Sequence, residues 1–204
     1  MTKAVTPAEH LPLLLHLRPA IEMNDQQFFE FCQINRELRI ERTAEGDLLI
    51  MPPAGGRSGH RNARLTTQFG VWAEREGSGL VFDSSTGFHL PNGADRSPDV
   101  AWVRRERLAM LTDEEKEKFL PLCPDFALEL RSPSDTRRNL KAKMKEYLDN
   151  GTRLGWLIDA IERRVDVYRP DGPVEGLEGI ETLSGDPVLP GFVLDLRKIW
   201  DPDF

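Results

Sequence analysis

The segment "DFALELRSPSD" (residues 125–135) constrains the fold of this chain more than any other. Phe126, Ala127, Leu128 and Leu130 fill both parities of an extended run with apolar side chains. That is the pattern of a strand buried on both faces, hence of a central position in a sheet. "SPSD" then turns the chain. Residues 136–150 follow as a helix with Leu140, Met144, Tyr147 and Leu148 on one face, stopped by Gly151. "LGWLID" and "RVDVYRP" read as two further strands joined by a short turn. One residue conflicts with this simple picture. Glu129 lies inside the apolar strand, where an unpaired carboxylate costs roughly several kcal/mol.

The flanks are built around this centre. Asn24 caps a short helix through about Ile34, with Phe28, Phe29 and Phe31 on its apolar side. "LRIER" and "DLLIM" alternate about a Gly-containing turn, which predicts a hairpin. "PPAGGRSG" is a loop, and Ser58 is placed to cap a helix over residues 59–76, with Leu65, Phe69 and Trp72 at i, i+4 and i+7. "GLVFD" and "GFHL" read as strands, "PNGADRSP" as a loop, "DVAWV" as a strand and "RRERLAMLTDEEKEKFL" as peripheral helix. "LPGFVLDLRKIW" closes with a strand and a short helical tail. The expected fold is α/β, a mixed central sheet flanked by helices with an N-terminal hairpin. Its 204 residues suit a single domain, taken as residues 23–204 after an N-terminal extension over 1–22.

Composition narrows the functional classes. No apolar run reaches membrane-spanning length, and the N-terminus lacks the long apolar region of a signal peptide. Cys32 and Cys123 form no C-x-x-C pair, so neither a disulfide scaffold nor an oxidising compartment is indicated, and a cytoplasmic location is expected. A net charge of −7 argues against coating nucleic acid by bulk charge. A local basic site is compatible with it. Residues 129–145 carry Arg131, Arg137, Arg138, Lys141, Lys143 and Lys145 against only Glu129 and Asp135. A solvated helix face is the plain reading of that run.

The chemistry concentrates at two strands. Pro98-Asp99 opens one, and Glu129 lies on another with Arg131 two positions on, so that alternation projects both side chains to one face. Two carboxylates from neighbouring strands beside cations suit magnesium, which takes oxygen ligands and leaves positions for water and phosphate. Such an ion lowers the pKa of bound water and stabilises charge on a phosphoryl oxygen.

These residues resemble the signature of the PD-(D/E)XK nuclease superfamily, with Pro-Asp on one strand and Asp/Glu-x-Lys on the next. More closely, the chain resembles the Uma-two family of restriction-endonuclease-like proteins. The matching pieces run from "MNDQQFFEF" through "GDLLIMPPAGGRSGHRNARL", "GFHLPNGADRSPDVAWV" and "FALELRSPSDTRRNLKAKMKEYLDNGTRLGWLID" to "RVDVYRP" and "LPGFVLDLRKIW". The resemblance implies a restriction-endonuclease-like fold and a metal-dependent endonuclease acting on DNA with Mg²⁺ or Mn²⁺. It implies Asp99 and Glu129 as metal ligands and catalytic residues, the Leu130 carbonyl as a third ligand, and Lys143 as the catalytic lysine moved to the following helix. His60 matches a family histidine. Arg131 stands in the usual lysine slot and, being always protonated, cannot act as a base, although it can bind phosphate.

Plainer readings exist for each residue. Asp99 is also a natural turn residue after Pro98, and Glu129 also suits an ion pair with Arg131 or a lysine of the next helix. Lys143 also suits an edge of the helix stripe, His60 a solvated first turn, and Asp135 an N-cap. Trp72, Trp102 and Trp156 read as core. On the residues alone Lys141 and Lys143 flank opposite edges of the same stripe, and geometry does not choose between them. A catalytically silent nucleic-acid-binding or protein-interaction module on the same fold is the alternative function. A glycosidase carboxylate pair is weaker, because the adjoining cations suit phosphate better. Two nicks on a duplex would be made most simply by a two-fold homodimer.

Overall fold

The computed structural model describes residues 12–203. Residues 1–11 of the expected N-terminal extension lie outside the described residues. In chain order the elements are β1 (Leu13–Leu15), α1 (Asp25–Ile34), β2 (Arg39–Arg42), β3 (Leu48–Met51) and α2 (Gly56–Glu76). Next come β4 (Gly79–Asp83), β5 (Phe88–His89), β6 (Asp95–Arg96), β7 (Val100–Arg104), α3 (Arg105–Leu108), α4 (Asp113–Lys116) and β8 (Phe126–Leu130). The chain continues with α5 (Arg137–Asp149), β9 (Leu154–Asp159), β10 (Arg164–Tyr168), β11 (Glu175–Glu178), β12 (Thr182–Ser184), β13 (Val193–Asp195) and α6 (Arg197–Trp200).

Among the described residues the strands form a six-stranded sheet in the order β11-β10-β9-β8-β7-β4, a five-stranded sheet in the order β1-β3-β2-β6-β5, and the pair β12-β13. β8 is fully buried and central, as its composition requires. It pairs antiparallel with β7 and parallel with β9. The parallel pair follows from α5, which supplies the crossover that a parallel connection needs.

The period of two sorts the six-stranded sheet into its layers. Val100, Trp102, Phe126, Leu128, Trp156 and Ile158 face Leu65 and Phe69 of α2. Ala101, Val103, Ala127 and Leu157 face Leu140, Met144 and Tyr147 of α5. Glu129 shares parity with Ala127 and therefore belongs to the α5 layer. Trp102 and Trp156 are buried and Trp72 packs against the same cluster, so the three tryptophans are core.

Several local expectations are corrected. α2 begins at Gly56 with Gly55 at the N-cap, and Ser58 is a buried residue inside the first turn. The cap of α5 is Thr136, whose side chain accepts from the Asn139 N–H. Asp135 instead accepts from the Ser132 N–H and hydroxyl, closing the turn before the helix. "PNGADRSP" contains β6, a short strand joining β2 and β5, and so it is more than a loop. The peripheral helical segment is two short helices, α3 and α4. The predicted hairpin, β2 with β3, is the middle of the five-stranded sheet, extended by β1. Asn24 caps α1 in a reciprocal capping box with Gln27, as expected. Both cysteines are free. No helix among the described residues is long and apolar enough to cross a membrane.

Candidate active site

Asp99 is the residue immediately before β7. Continuing the β7–β8 register by one pair sets it opposite Glu129. One Asp99 oxygen, Oδ2, accepts the Leu130 N–H at 2.8 Å, and the other accepts from Asn62 Nδ2 of α2 at 3.0 Å. Leu130 thus meets Asp99 through its N–H. Arg39 of β2 brings Nη1 to 3.6 Å from Asp99 Oδ1 and donates through Nη2 to the Ser97 carbonyl. Asp99 and Glu129 are both buried.

Glu129 is held from α5. Tyr147 Oη donates to Glu129 Oε1 at 2.9 Å, and Lys143 Nζ lies 2.8 Å from the same oxygen. Residues 143 and 147 are neighbours at i and i+4 on one helix face, which is why a single carboxylate meets both. Lys143 also donates to Glu41 Oε1 of β2 at 2.7 Å. Glu41 takes a further hydrogen bond from the Ser97 N–H and an ion pair from Arg96, and Arg96 in turn donates to Glu146 of α5. The five-stranded sheet and α5 therefore meet through buried ion pairs above the ends of β7 and β8.

The electrostatics of the two glutamates diverge for a visible reason. Burial pushes the Glu129 carboxyl up, Lys143 opposes this, and the nearby Asp99 and Glu41 carboxylates reinforce it, leaving it at about 7. Burial acts on Glu41 in the same direction, but Lys143 and Arg96 outweigh it and hold that carboxyl down at about 2. Burial works against the Lys143 ammonium, and Glu129 and Glu41 more than restore it, so its pKa is raised and the group is charged. Arg39 faces Asp99 as one pair, while Glu41, Glu129 and Glu146 stand against only Lys143 and Arg96 in a connected set. The excess is one negative charge, and Glu129 is where it falls.

A hard divalent ion fits this donor set. Two buried carboxylates at adjacent strand ends supply oxygen donors, the charge excess calls for a cation, and Asn62 Oδ1 is buried beside Asp99 without a hydrogen-bond partner. No group of three or more His, Cys, Asp or Glu residues suited to a metal occurs among the described residues. Backbone oxygen, water and substrate would have to complete the shell, which is the usual habit of magnesium.

The remaining expected residues lie elsewhere. Arg131 shares a parity with Glu129, but its guanidinium turns sideways to Asp159 at 2.6 Å and towards Glu162. There it joins Arg137, Arg164, Lys141 and Asp166 in a network across β9 and β10. Of the two partners that Glu129 suited, Arg131 or a lysine of the next helix, the structure gives the lysine, Lys143, because the parallel register sets Asp159 beside Arg131. His60 accepts from Arg64 Nε one turn along α2, while Asn62 is the α2 residue that reaches Asp99. Two further carboxylates, Asp95 and Asp83, are engaged by other partners: Asp95 pairs with Arg42 and His89, and Asp83 accepts from Ser85 in a turn. Lys141 contacts Asp166 and Lys143 contacts Glu129, so the structure distinguishes the two lysines that helical spacing leaves equivalent. Glu41, Arg39, Arg96, Asn62 and Tyr147 are the participants that the sequence does not announce. The sequence does place Tyr147 on the inward stripe of its helix, while the burial of Glu41 is seen only in the fold.

The mixed sheet with α2 and α5 on opposite faces is a restriction-endonuclease-like fold, and here it brings Asp99, Glu129 and Lys143 together at adjacent strand ends. The chain belongs to the Uma2 family, whose model, described as "Putative restriction endonuclease", matches residues 25–197. Its structure is similar to that of "a putative nuclease belonging to DUF820 from Anabaena variabilis ATCC 29413". The TM-score is 0.72 at 17% identity, covering 88% of this chain and 98% of the other. At that identity the likeness is one of fold. Among the curated proteins none matches the chain.

Proposed function

We propose that the protein is a metal-dependent phosphodiesterase that hydrolyses DNA. In this reading Asp99 and Glu129 would hold Mg²⁺ or Mn²⁺, with the Leu130 carbonyl as a third protein oxygen, and the ion would supply a water of lowered pKa and neutralise charge on a phosphoryl oxygen. The protein's own groups do the rest. The Leu130 N–H and Asn62 fix the Asp99 carboxylate, and Tyr147 and Lys143 fix Glu129. Lys143 is charged, so its part is to stabilise negative charge developing on the phosphate, rather than to take a proton. Arg131, engaged with Asp159, takes no direct part.

The observation that carries the reading is the meeting of Lys143 with Glu129 on the strand beside Asp99, in a chain of this family. The test is plasmid nicking by purified protein with Mg²⁺ or Mn²⁺. Cleavage is expected to require the ion and to be abolished by Asp99→Ala and by Glu129→Ala. Wild-type cleavage that persists in excess chelator would contradict it. A catalytically silent binding module would instead give no cleavage and no Glu129-dependent ion binding.

A further inference from the structure

Three cations stand around the two candidate ligands, and they differ in how far their donors are spent. Lys143 is 12% exposed at its side chain and is engaged by both Glu41 and Glu129. Arg96 is 11% exposed and is engaged by both Glu41 and Glu146. Arg39 is 34% exposed, gives one hydrogen bond, to the Ser97 carbonyl, and approaches Asp99 only at 3.6 Å. Its Nε is buried without any partner, an arrangement that leaves a donor unsatisfied. On the other side of Asp99, the buried Asn62 Oδ1 is also unpartnered. Unspent hydrogen-bonding capacity therefore flanks Asp99 from two different elements, β2 and α2.

A planar guanidinium that is always charged, lies partly open to solvent and is not fully spent in hydrogen bonds suits the oxygens of a phosphodiester. We propose that Arg39 is a substrate-binding residue that contacts a phosphate of the nucleic-acid backbone beside Asp99. This assignment rests on the phosphodiesterase reading above and adds to it the residue that receives the substrate. It also gives the five-stranded sheet a direct part in substrate binding, since Arg39 opens β2.

The test is binding of a fluorescent oligonucleotide by anisotropy with chelator present, across a salt series, so that cleavage plays no part. Arg39→Met is expected to weaken binding and to lower the slope of log K against log salt by about 1, the share of one phosphate contact. Arg39→Lys is expected to restore the slope while recovering only part of the affinity, because an ammonium lacks the bidentate fork. Arg75→Met serves as the control for general charge. It lies thirteen residues beyond Asn62 on α2, about 20 Å along the helix, and is expected to leave affinity near wild type. Calorimetry with Mg²⁺ supplies the opposing readout. If Arg39 is only the counter-ion of Asp99, Arg39→Met will tighten ion binding and leave the oligonucleotide slope unchanged, and the assignment falls. If Arg39→Met and Arg75→Met weaken binding equally, the effect is bulk charge and the assignment also falls. A wild-type protein that neither binds nor cleaves nucleic acid would overturn the phosphodiesterase reading itself, and Arg39 with it.

Discussion

Lys143 illustrates how much rests on single side chains here. Its ammonium is the common partner of Glu41 and Glu129, both nearly inaccessible. Breaking a buried pair by removing one member leaves charge uncompensated, at a cost of about 3–5 kcal/mol. Lys143→Met is expected to lose stability on that scale in urea titrations at neutral pH, besides losing cleavage. A loss below about 1 kcal/mol would mean that the two glutamates find other partners. A second residue-scale prediction lies outside the site. His89 hydrogen-bonds Asp95, lies near Asp25, and has its pKa raised chiefly by the Asp95 hydrogen bond, against burial and Arg42. A group whose folded pKa is raised contributes stability that is complete below its unfolded pKa, about 6.5, and lost as pH rises through the folded value. The stability gap between wild type and His89→Gln is therefore expected to be larger at about pH 5.5 than at about pH 9. Equal gaps in denaturant titrations at the two pH values would contradict the pairing. At this scale the sequence was partly legible. Asp99 and Glu129 stand out by strand position, but Glu41, Arg39 and Asn62 do not, because their meeting depends on contacts between elements far apart in the chain.

The elements that carry the site are the β8–α5–β9 unit and β2. The first is readable from its apolar pattern, its cap-and-glycine boundaries and the helix stripe. What escapes sequence reading is how close α5 comes to the sheet. Gly155 of β9 lies under Met144, and a Cβ there would run into the Met144 methyl. Met144 neighbours Lys143, so bulk at Gly155 presses first on the flexible end of Met144 and through it on the turn of α5 that carries the lysine. Gly155→Val is expected to cost about 1–3 kcal/mol by overpacking and to reduce cleavage more than Thr136→Ala does. Thr136→Ala loses only the cap, worth about 1 kcal/mol. Thermal melts and cleavage rates on both variants check the pair, and a Gly155→Val protein of wild-type activity would separate helix height from function. Arg131 teaches the same lesson in reverse. Strand alternation places it correctly on the α5 face, yet the lateral choice between Glu129 and Asp159 was set by the β8–β9 register.

At the scale of the whole molecule, the two larger sheets divide the labour. The six-stranded sheet provides Asp99 at the foot of β7 and Glu129 in β8, while the five-stranded sheet provides Glu41, Arg39 and Arg96. The sequence predicts the first sheet in outline but shows the second only as a hairpin and the separate strand of "GFHL", since β1 and β6 are two or three residues long and carry too little periodicity to read. β2 and β6 hold Arg39, Glu41 and Arg96 over the strand ends, and buried ion pairs between sheets leave no periodic trace. The opening difficulty of Glu129 is resolved at this scale too. It is tolerated in an apolar strand because Lys143 and Tyr147 meet it, while Asp99 and Glu41 keep it short of positive charge. The central claim is that a divalent ion relieves that shortage. Crystals soaked in Mn²⁺ and measured for anomalous scattering test it most directly. One peak is expected between the Asp99 and Glu129 carboxylates, absent from Glu129→Gln crystals. No peak there, or a peak that survives Glu129→Gln, would contradict the account.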